Sequence, residues 1–273
     1  MKNTVEENIA YWDKRIRERD DLFDGVLWEG LPSWNRYVDE VQMQHLTPLF
    51  ERIESSHRVL DVGCGTGRLT FRLAPRCREV VAADSSPAAI EVCDGRAREL
   101  GLANARFQVA DVTRLDLEPA SFDWILSVTC LMCITDPKQL TQTLGRLLGL
   151  LRPGGHLLLL EYTGTRRRDA IALNLARQEW LQGIDATGGR VVRWVGIDCG
   201  PLRWLIIKYY RLVRLVPWAA LQRLMERLPI AVLRPLEATV PRLWPGIAWY
   251  SLIVARRRED GPPPGSSSPP PGG

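Results

Sequence analysis

Three glycines at alternate positions could bring the backbone against a bound ligand. Gly63, Gly65 and Gly67 come directly after the apolar run 59–62. Glycine lets the chain turn sharply and approach a ligand with no Cβ in the way. A helix-like segment begins at Arg68, and the free N–H groups at a helix start can donate to polar or anionic ligands. These residues therefore predict a ligand-binding turn between a strand and a helix.

The spacing of these glycines separates two kinds of nucleotide site. A glycine loop after a strand is weak evidence alone, because several nucleotide-binding folds use one. The dinucleotide fingerprint places its third glycine where this chain has Arg68, so that helix and strand can pack closely. A nicotinamide-dependent oxidoreductase stays open as an alternative, and the Arg68 side chain argues against it.

Carboxylates follow the next two apolar runs of the chain. Asp84 ends the run 80–84, and Asp111 ends the run 108–111. A carboxylate can accept hydrogen bonds from two vicinal hydroxyls at once. Asp84 could instead cap the helix that begins near Pro87, and Asp111 could be a solvated loop acid. Ligand contact is the favoured interpretation for both.

In their order and spacing these motifs resemble the class I S-adenosylmethionine-dependent methyltransferases. The match consists of Asp61-Val-Gly-Cys-Gly-Thr-Gly67, Asp84, Asp111 and the turn Leu151-Arg-Pro-Gly-Gly-His156, and it covers about residues 56–162. The resemblance implies that S-adenosylmethionine is the cofactor and that a methyl group is transferred. It also implies a Rossmann-like α/β fold with a doubly wound, mostly parallel, seven-stranded sheet.

The resemblance also implies roles for individual residues. In the family the glycine loop lies along the methionine part of the cofactor. Asp84 would hold the ribose hydroxyls and Asp111 would contact the adenine amino group. The predicted cofactor-binding residues are Asp61, Gly63, Cys64, Gly65, Gly67, Asp84, Ser85, Asp111, Val112 and Ser127.

Hydropathy patterns divide the chain into four stretches. Residues 1–54 predict a helical cap, and residues 55–162 predict the cofactor-binding core. Residues 163–258 predict substrate-side helices inserted before the last strand, together with the final strands. Residues 259–273 predict a disordered tail rich in proline, glycine and serine.

Individual elements follow from the same patterns. The predicted strands are Arg58–Val62, Glu79–Ala83, Ala105–Val109, Trp124–Val128, His156–Tyr162, Arg190–Ile197 and Trp249–Ala255. The predicted helices include two on either side of Pro32, then Arg68–Ala74, Pro87–Leu100, Gln139–Leu151 and Arg168–Gln182.

No residue of the sequence identifies itself as a catalytic base. A methyltransferase needs one only when its acceptor is protonated at the working pH. Asp136, Glu161, Tyr162 and His45 are candidates by their position in the chain, although a cap, turn or surface role is favoured for each. Tyr11 and Trp12 could close over the cofactor, or they could face the core from a helix.

Cysteine usage argues against a metal site. Cys130 and Cys133 form the chain's C-x-x-C, with no second pair, and His45, His57 and His156 are scattered. The two cysteines are therefore expected to be small buried hydrophobic residues.

The composition is that of an ordinary soluble protein, with 45% hydrophobic and 25% charged residues. The polar, acidic N-terminus is unlike a secretory signal. The sequence also lacks the uncharged apolar run of about 18 residues that a membrane-spanning helix needs. We expect a cytoplasmic protein, with contact to a membrane surface left open.

Charge is distributed unevenly, which bears on the partner. Residues 1–54 hold 7 Lys/Arg and 12 Asp/Glu, whereas residues 203–258 hold 11 Lys/Arg and 2 Glu. The basic, tryptophan-rich second stretch would suit a peripheral membrane contact, but a helical lid with arginines facing water is favoured. Interleaved apolar residues argue against nucleic acid. The sequence predicts a small or lipophilic acceptor, with a non-catalytic cofactor-binding or membrane-associated module as an alternative, and it leaves the oligomeric state undefined.

Overall fold

The apolar runs of the sequence form one seven-stranded sheet. In the computed structural model the strand order is β3-β2-β1-β4-β5-β7-β6. The structure describes residues 5–18, 32–164, 173, 175–213, 215–217, 221, 225, 236, 239–241 and 244–259. The strands are β1 Arg58–Val62, β2 Glu79–Asp84, β3 Ala105–Val109, β4 Phe122–Val128, β5 Leu151–Tyr162, β6 Gly189–Gly196 and β7 Tyr250–Arg257.

Six strands run in one direction, and the last strand in the chain, β7, runs the opposite way. β1 pairs in parallel with β2 and β4, and the pairing continues in parallel to β3 and β5. β7 lies antiparallel between β5 and β6. The chain order reverses between β1 and β4, and the crevice outside the carboxyl ends of strands at such a point is where ligands bind in open α/β sheets. The predicted doubly wound, mostly parallel sheet is confirmed.

The helices begin where the sequence supplies a cap. Ser86 and Asp136 accept backbone N–H groups at the starts of two helices, and Pro87 and Pro137 occupy the first turns, where a missing N–H costs nothing. The helices are α1 Val5–Arg17, α2 Pro32–Phe50, α3 Thr70–Leu73, α4 Pro87–Glu99, α5 Pro137–Leu150, α6 Arg177–Ala186 and α7 Gly200–Val213.

Apolar side chains fill the space between the central strands and the helices on both faces of the sheet. Leu60 and Ile125 of the central strands are fully buried. Leu144 and Leu147 of α5 belong to the core cluster on one face, and Leu46 of α2 belongs to the cluster on the other. Helices thus cover both faces of the sheet. The central strands are apolar at nearly every position because both of their faces are buried.

The predicted helix Arg168–Gln182 begins later than expected. Residues 165–172 and 174 lie outside the described residues, but Leu173 is not helical, and its N–H donates to the carbonyl of Met132 at 2.6 Å. The helix starts at Arg177, because the Glu179 carboxylate accepts the Ala176 N–H at 2.8 Å and so caps the first turn.

Two further predictions fall on residues that the structure does not describe. The tail prediction lies outside the described residues from 260 onward, and much of the basic stretch between 218 and 243 does as well. Among the helices of the described part, none combines the length and apolar character needed to cross a bilayer.

Candidate functional site

The glycine loop leaves β1 in a conformation that suits glycine. Gly63, Gly65 and Gly67 have φ values of +68°, +54° and +82°. These values lie in the left-handed region that other residues rarely adopt. The Gly63 N–H donates to the Ala83 carbonyl at 2.7 Å, which ties the loop to the end of β2. A Cβ on Gly63 would lie 2.4 Å from the Sγ of Cys130, so the loop is fitted closely between two neighbouring strand ends.

Asp84 holds the outer side of this loop. One oxygen of its carboxylate accepts the Gly65 N–H at 2.9 Å, and the other accepts the Ser86 N–H at 2.9 Å. Each oxygen keeps a second lone pair that could accept a ligand hydroxyl. Ser86 is the cap residue of α4. Burial raises the pKa of Asp84, and its backbone hydrogen bonds oppose that rise.

Asp61 lies beneath the loop and is almost completely buried. It accepts the Thr70 hydroxyl at 2.5 Å, which links β1 to α3. Burial raises the pKa of Asp61 to about 6, with the Thr70 hydrogen bond and the charge of Arg68 acting in the opposite direction. Asp61 therefore supports the loop from below.

Most of the predicted cofactor residues line one cavity at this edge of the sheet. Asp111 belongs to it and also caps a short turn, accepting the Thr113 N–H at 2.9 Å. Of the predicted cofactor residues, the cavity lining includes Asp61, Gly63, Cys64, Gly65, Asp84, Ser85, Asp111 and Val112.

Two predicted cofactor residues are not part of that lining. Gly67 lies where a Cβ would come within 2.5 Å of the Phe71 ring, so it serves the packing of the loop against α3. Ser127 is fully buried in β4, and its hydroxyl donates to Glu161 at 3.2 Å. Neither residue is among those that line this cavity.

The opposite wall comes from the segment that follows β4, which the sequence did not point to. Thr129, Cys130, Cys133 and Ile134 line the cavity there. These residues sit at the carboxyl end of a central parallel strand, and that position was the signal that could have identified them.

Helix α1 closes a further side of the cavity. Asp13 accepts the Ser86 hydroxyl at 2.9 Å and the Ala88 N–H at 2.8 Å, so α1 is anchored to the start of α4. Trp12 lines the cavity, which agrees with the interpretation that it closes over the cofactor. Tyr11 does not line the cavity and is 39% exposed. Asn8, Ile9 and Ile16 also belong to this wall.

Arg68 connects the glycine loop to α2. Its guanidinium is buried, pairs with Asp39 and donates to Gln42 at 2.7 Å. Arg72 adds two bonds to the same carboxylate, each 2.8 Å long. The residue that argued against a dinucleotide site thus joins the N-terminal cap to the core.

None of the four candidate bases lines the cavity. Asp136 is exposed and caps α5, accepting the Lys138 N–H at 3.0 Å. Glu161 is buried behind the cavity wall, and Tyr162 packs against the ring of Tyr250. His45 lies on α2, away from the lining.

The cysteine expectation needs a correction. Cys130 and Cys133 are half-buried and line the cavity, because the segment after β4 turns at the sheet edge instead of entering the core. Burial raises the pKa of Cys133 to about 12 and that of Cys130 well above its usual range. Within the described residues no three His, Cys, Asp or Glu side chains are grouped to hold a metal ion.

Comparison with known proteins gives both sequence relatives and structural neighbours. Residues 53–183 match the model of a methyltransferase domain. Over 150 residues the chain is 33% identical to a demethylmenaquinone methyltransferase of Deinococcus radiodurans, covering 54% of this chain and 57% of that protein. The chain spans little more than half the length of such curated relatives.

Solved structures share the fold at low identity. A geranyl diphosphate C-methyltransferase of Streptomyces coelicolor superposes with a TM-score of 0.63 at 17% identity, covering 92% of this chain and 97% of that one. The [4+2]-cyclase SpnF superposes with a TM-score of 0.57 at 18% identity, covering 78% of this chain and 81% of that one. The family model and the sequence relatives confirm the resemblance to the class I S-adenosylmethionine-dependent methyltransferases over residues 53–183, and the solved structures share the fold.

Proposed function

We propose that this chain transfers the methyl group of S-adenosylmethionine to a small, lipophilic acceptor. The observation that carries the proposal is the cavity at the switch point of the sheet. Its glycine-loop side presents Asp84 and Asp111, whereas Ile9, Trp12 and Ile134 make another side apolar. A polar cofactor and an apolar acceptor would meet between these two sides.

The residues present fit this cofactor. The left-handed turn at Gly63 and Gly65 brings backbone to the cavity, where the methionine part would lie. Asp84 retains lone pairs for the ribose hydroxyls, and Asp111 borders the same cavity toward the adenine. S-adenosylmethionine supplies a methyl group on a sulfonium that is already a good leaving group. The carboxylates also favour a positively charged ligand electrostatically.

The contribution of the chain to catalysis would be positioning and exclusion of water. Holding two reactants in line can be worth about 7–11 kcal/mol in well-oriented systems. Trp12 on α1, anchored through Asp13, would cover the reacting groups. Since His and Glu are absent from the described lining of the cavity, we favour an acceptor that is already nucleophilic when it binds, such as the ring of an ionised phenol. A methylated ring carbon would then lose its proton to water or to a lining carboxylate such as Asp111.

The names of similar proteins support a lipophilic acceptor. The Deinococcus relative is named for demethylmenaquinone, and the Streptomyces neighbour for geranyl diphosphate. Both names describe molecules with an isoprenoid chain, which would suit the apolar side of the cavity. We propose reduced naphthoquinones and allylic diphosphates as the first acceptors to assay, with mass spectrometry of the methylated product.

Binding of the product S-adenosylhomocysteine tests the cofactor part of the proposal. Calorimetry should give a Kd in the low micromolar range, equivalent to about −8 kcal/mol. Asp84→Ala should weaken binding roughly tenfold or more, because Gly65 loses its acceptor together with the ligand hydroxyls. Asp136→Ala, which removes an exposed cap, is the matched control and should bind like the unchanged chain.

Different failures have different meanings. Absence of binding at millimolar ligand, or equal affinities for the two variants, would defeat the assigned site. Binding without methyl transfer to any acceptor would favour the alternative of a non-catalytic module. The fold is shared with a [4+2]-cyclase, so the fold alone does not require methyl transfer.

We also propose that the acceptor is taken from a membrane surface next to α7. Trp204, Leu205 and Leu212 are 55%, 58% and 66% exposed on this helix, and the Lys208 ammonium lies 5.5 Å from the Trp204 ring. Exposed apolar and cationic groups on one helix suit an anionic interface. In co-sedimentation with anionic liposomes, Trp204→Ser with Leu205→Ser should release the protein.

The matched control for this experiment is Leu100→Ser, which alters a side chain that is 53% exposed at the end of α4. This variant should bind liposomes like the unchanged chain. Equal sedimentation of the α7 variant would favour the helical lid.

A further inference from the structure

A buried carboxylate behind the cavity bonds to the segment that follows β4. Glu161 lies near the end of β5 and is fully buried. Its Oε1 accepts the Ser127 hydroxyl at 3.2 Å, the Cys130 N–H at 3.3 Å and the Leu131 N–H at 3.1 Å. Its Oε2 accepts the Met132 N–H at 3.3 Å. One side chain thus satisfies three consecutive backbone donors.

These donors belong to the wall of the cavity. Cys130, whose amide is bonded, lines it, and so do Thr129 and Cys133, directly before and after the three bonded amides. Thr129 has a φ of +54°. That conformation costs a non-glycine residue about 1–2 kcal/mol, and such a turn persists only where its surroundings hold it in place. The hydrogen bonds to Glu161 supply that support from a neighbouring strand.

We infer that Glu161 is a positioning residue whose carboxylate holds residues 129–133 in the shape that completes the cofactor cavity. The inference rests on the proposed function for the purpose of that cavity, but the contacts themselves do not depend on a ligand. Glu161 does not reach the cavity lining, so it acts through the backbone that it holds and not by contact with substrate.

The ionised form of Glu161 suits this role, because a carboxylate can accept all four hydrogen bonds. In the protonated acid, one oxygen carries a hydrogen and can no longer accept from every one of these donors. Burial raises the pKa of Glu161 to about 7. Cys130 and Cys133 face it from the bonded segment and Tyr250 faces it from β7, and burial raises the pKa of each of these. Near neutral pH, Glu161 is therefore the member of this group that changes charge.

Amide hydrogen exchange of ligand-free protein is the direct test. In Glu161→Gln one backbone donor meets an amide N–H₂, so protection factors in the peptide 127–135 should fall roughly tenfold. Protection in β1 and β4 should stay unchanged. The thermal midpoint should not fall, because the variant also removes a buried charge whose burial is costly. A merely structural role would lower the midpoint and loosen the whole sheet.

Ligand binding adds a second readout, measured at a pH where Glu161 is ionised. The affinity for S-adenosylhomocysteine at about pH 8 should fall roughly fivefold in the variant. Glu99→Gln, an exposed change at the end of α4, is the control and should match the unchanged chain in every measurement.

The outcomes separate this inference from the proposed function. Unchanged protection of 127–135 in Glu161→Gln, or equal loss of protection throughout the sheet, overturns the inference. Loss confined to that peptide, in a protein that never binds S-adenosylhomocysteine, supports the positioning role and overturns the proposed function. Should Glu161→Gln fail to fold, Ser127→Ala keeps the charge and removes one donor, and it should lower protection in the same peptide by roughly threefold.

Discussion

The two facing walls of the cavity are held by different means. The glycine wall is held locally: its amides bond to Ala83 and to Asp84, at the end of the very next strand. The wall at 129–134 takes its shape from Glu161, about thirty residues later in the chain. The first wall can therefore be recognised from a motif, whereas the second depends on β5 lying beside β4. The shape of one side requires glycines, and the shape of the other requires one charge.

The largest effect should come from a change at the point where the two walls touch. Gly63→Ala would place a Cβ 2.4 Å from both the Cβ and the Sγ of Cys130, in a left-handed backbone. Crowding and strain together should lower the free energy of unfolding by about 3–5 kcal/mol. Urea denaturation measures this loss.

Gly154→Ala is a matched control for that change. Gly154 has a φ of +75°, but a Cβ there meets no described atom within 4 Å. It should therefore cost about 1–2 kcal/mol, from backbone strain alone. Equal losses of unfolding free energy in the two variants would show that the contact between the walls contributes nothing to stability.

The next effect tests how the glycine wall is joined to the N-terminal cap. Asp39→Ala leaves the buried Arg68 guanidinium without its carboxylate and also frees Arg72. An uncompensated buried charge should cost about 3 kcal/mol in urea denaturation. Asp185→Ala removes the partner of Arg258 at the surface and should cost less than about 1 kcal/mol. A similar small cost for Asp39→Ala would mean that α2 is held by its apolar face alone.

The pH dependence of stability compares the two buried carboxylates, one behind each wall. Burial raises the pKa of Asp61 to about 6 and that of Glu161 to about 7. The folded state therefore binds these protons more tightly than the unfolded state. Their contribution to stability is complete below the unfolded pKa values and is lost as the pH rises through about 6 and then about 7.

Substitution should remove each part of that slope separately. Asp61→Asn should abolish a loss of roughly 2 kcal/mol between about pH 4 and about pH 6. Glu161→Gln should abolish the part of the slope that continues toward neutral pH. Urea denaturation across that range measures both, and a slope that survives both changes would locate the titrating groups elsewhere.

The smallest effect should come from the anchor of α1. Asp13→Ala removes the acceptor of the Ser86 hydroxyl and the Ala88 N–H at the start of α4, which should cost about 1 kcal/mol of stability. Because Trp12 of the same helix lines the cavity, the affinity for S-adenosylhomocysteine should fall roughly fivefold. Calorimetry of Asp94→Ala, an exposed acid on α4, supplies the control. Unchanged affinity would show that α1 covers the cavity but does not contribute to the binding of S-adenosylhomocysteine.

The sequence by itself determined the sheet and the glycine wall. Apolar runs predicted the seven strands, and the largest error at a strand end is in β5, which begins at Leu151 and includes the predicted turn before His156. Gly63, Gly65, Asp84 and Asp111 could be placed at one edge because parallel strands end on the same side. These features depend on residue types close together in the chain, so a single sequence reveals them.

Only the tertiary structure decided the rest of the site. Ser127 turned out to bond Glu161 instead of lining the cavity, and Cys130 turned out to line it. Arg68 became a link to α2 through Asp39. Each of these outcomes depends on which partner lies across a strand or helix boundary, and neither residue type nor spacing carries that information. Burial also decided the charge states, because a carboxylate's pKa reflects the solvent that folding removes from it.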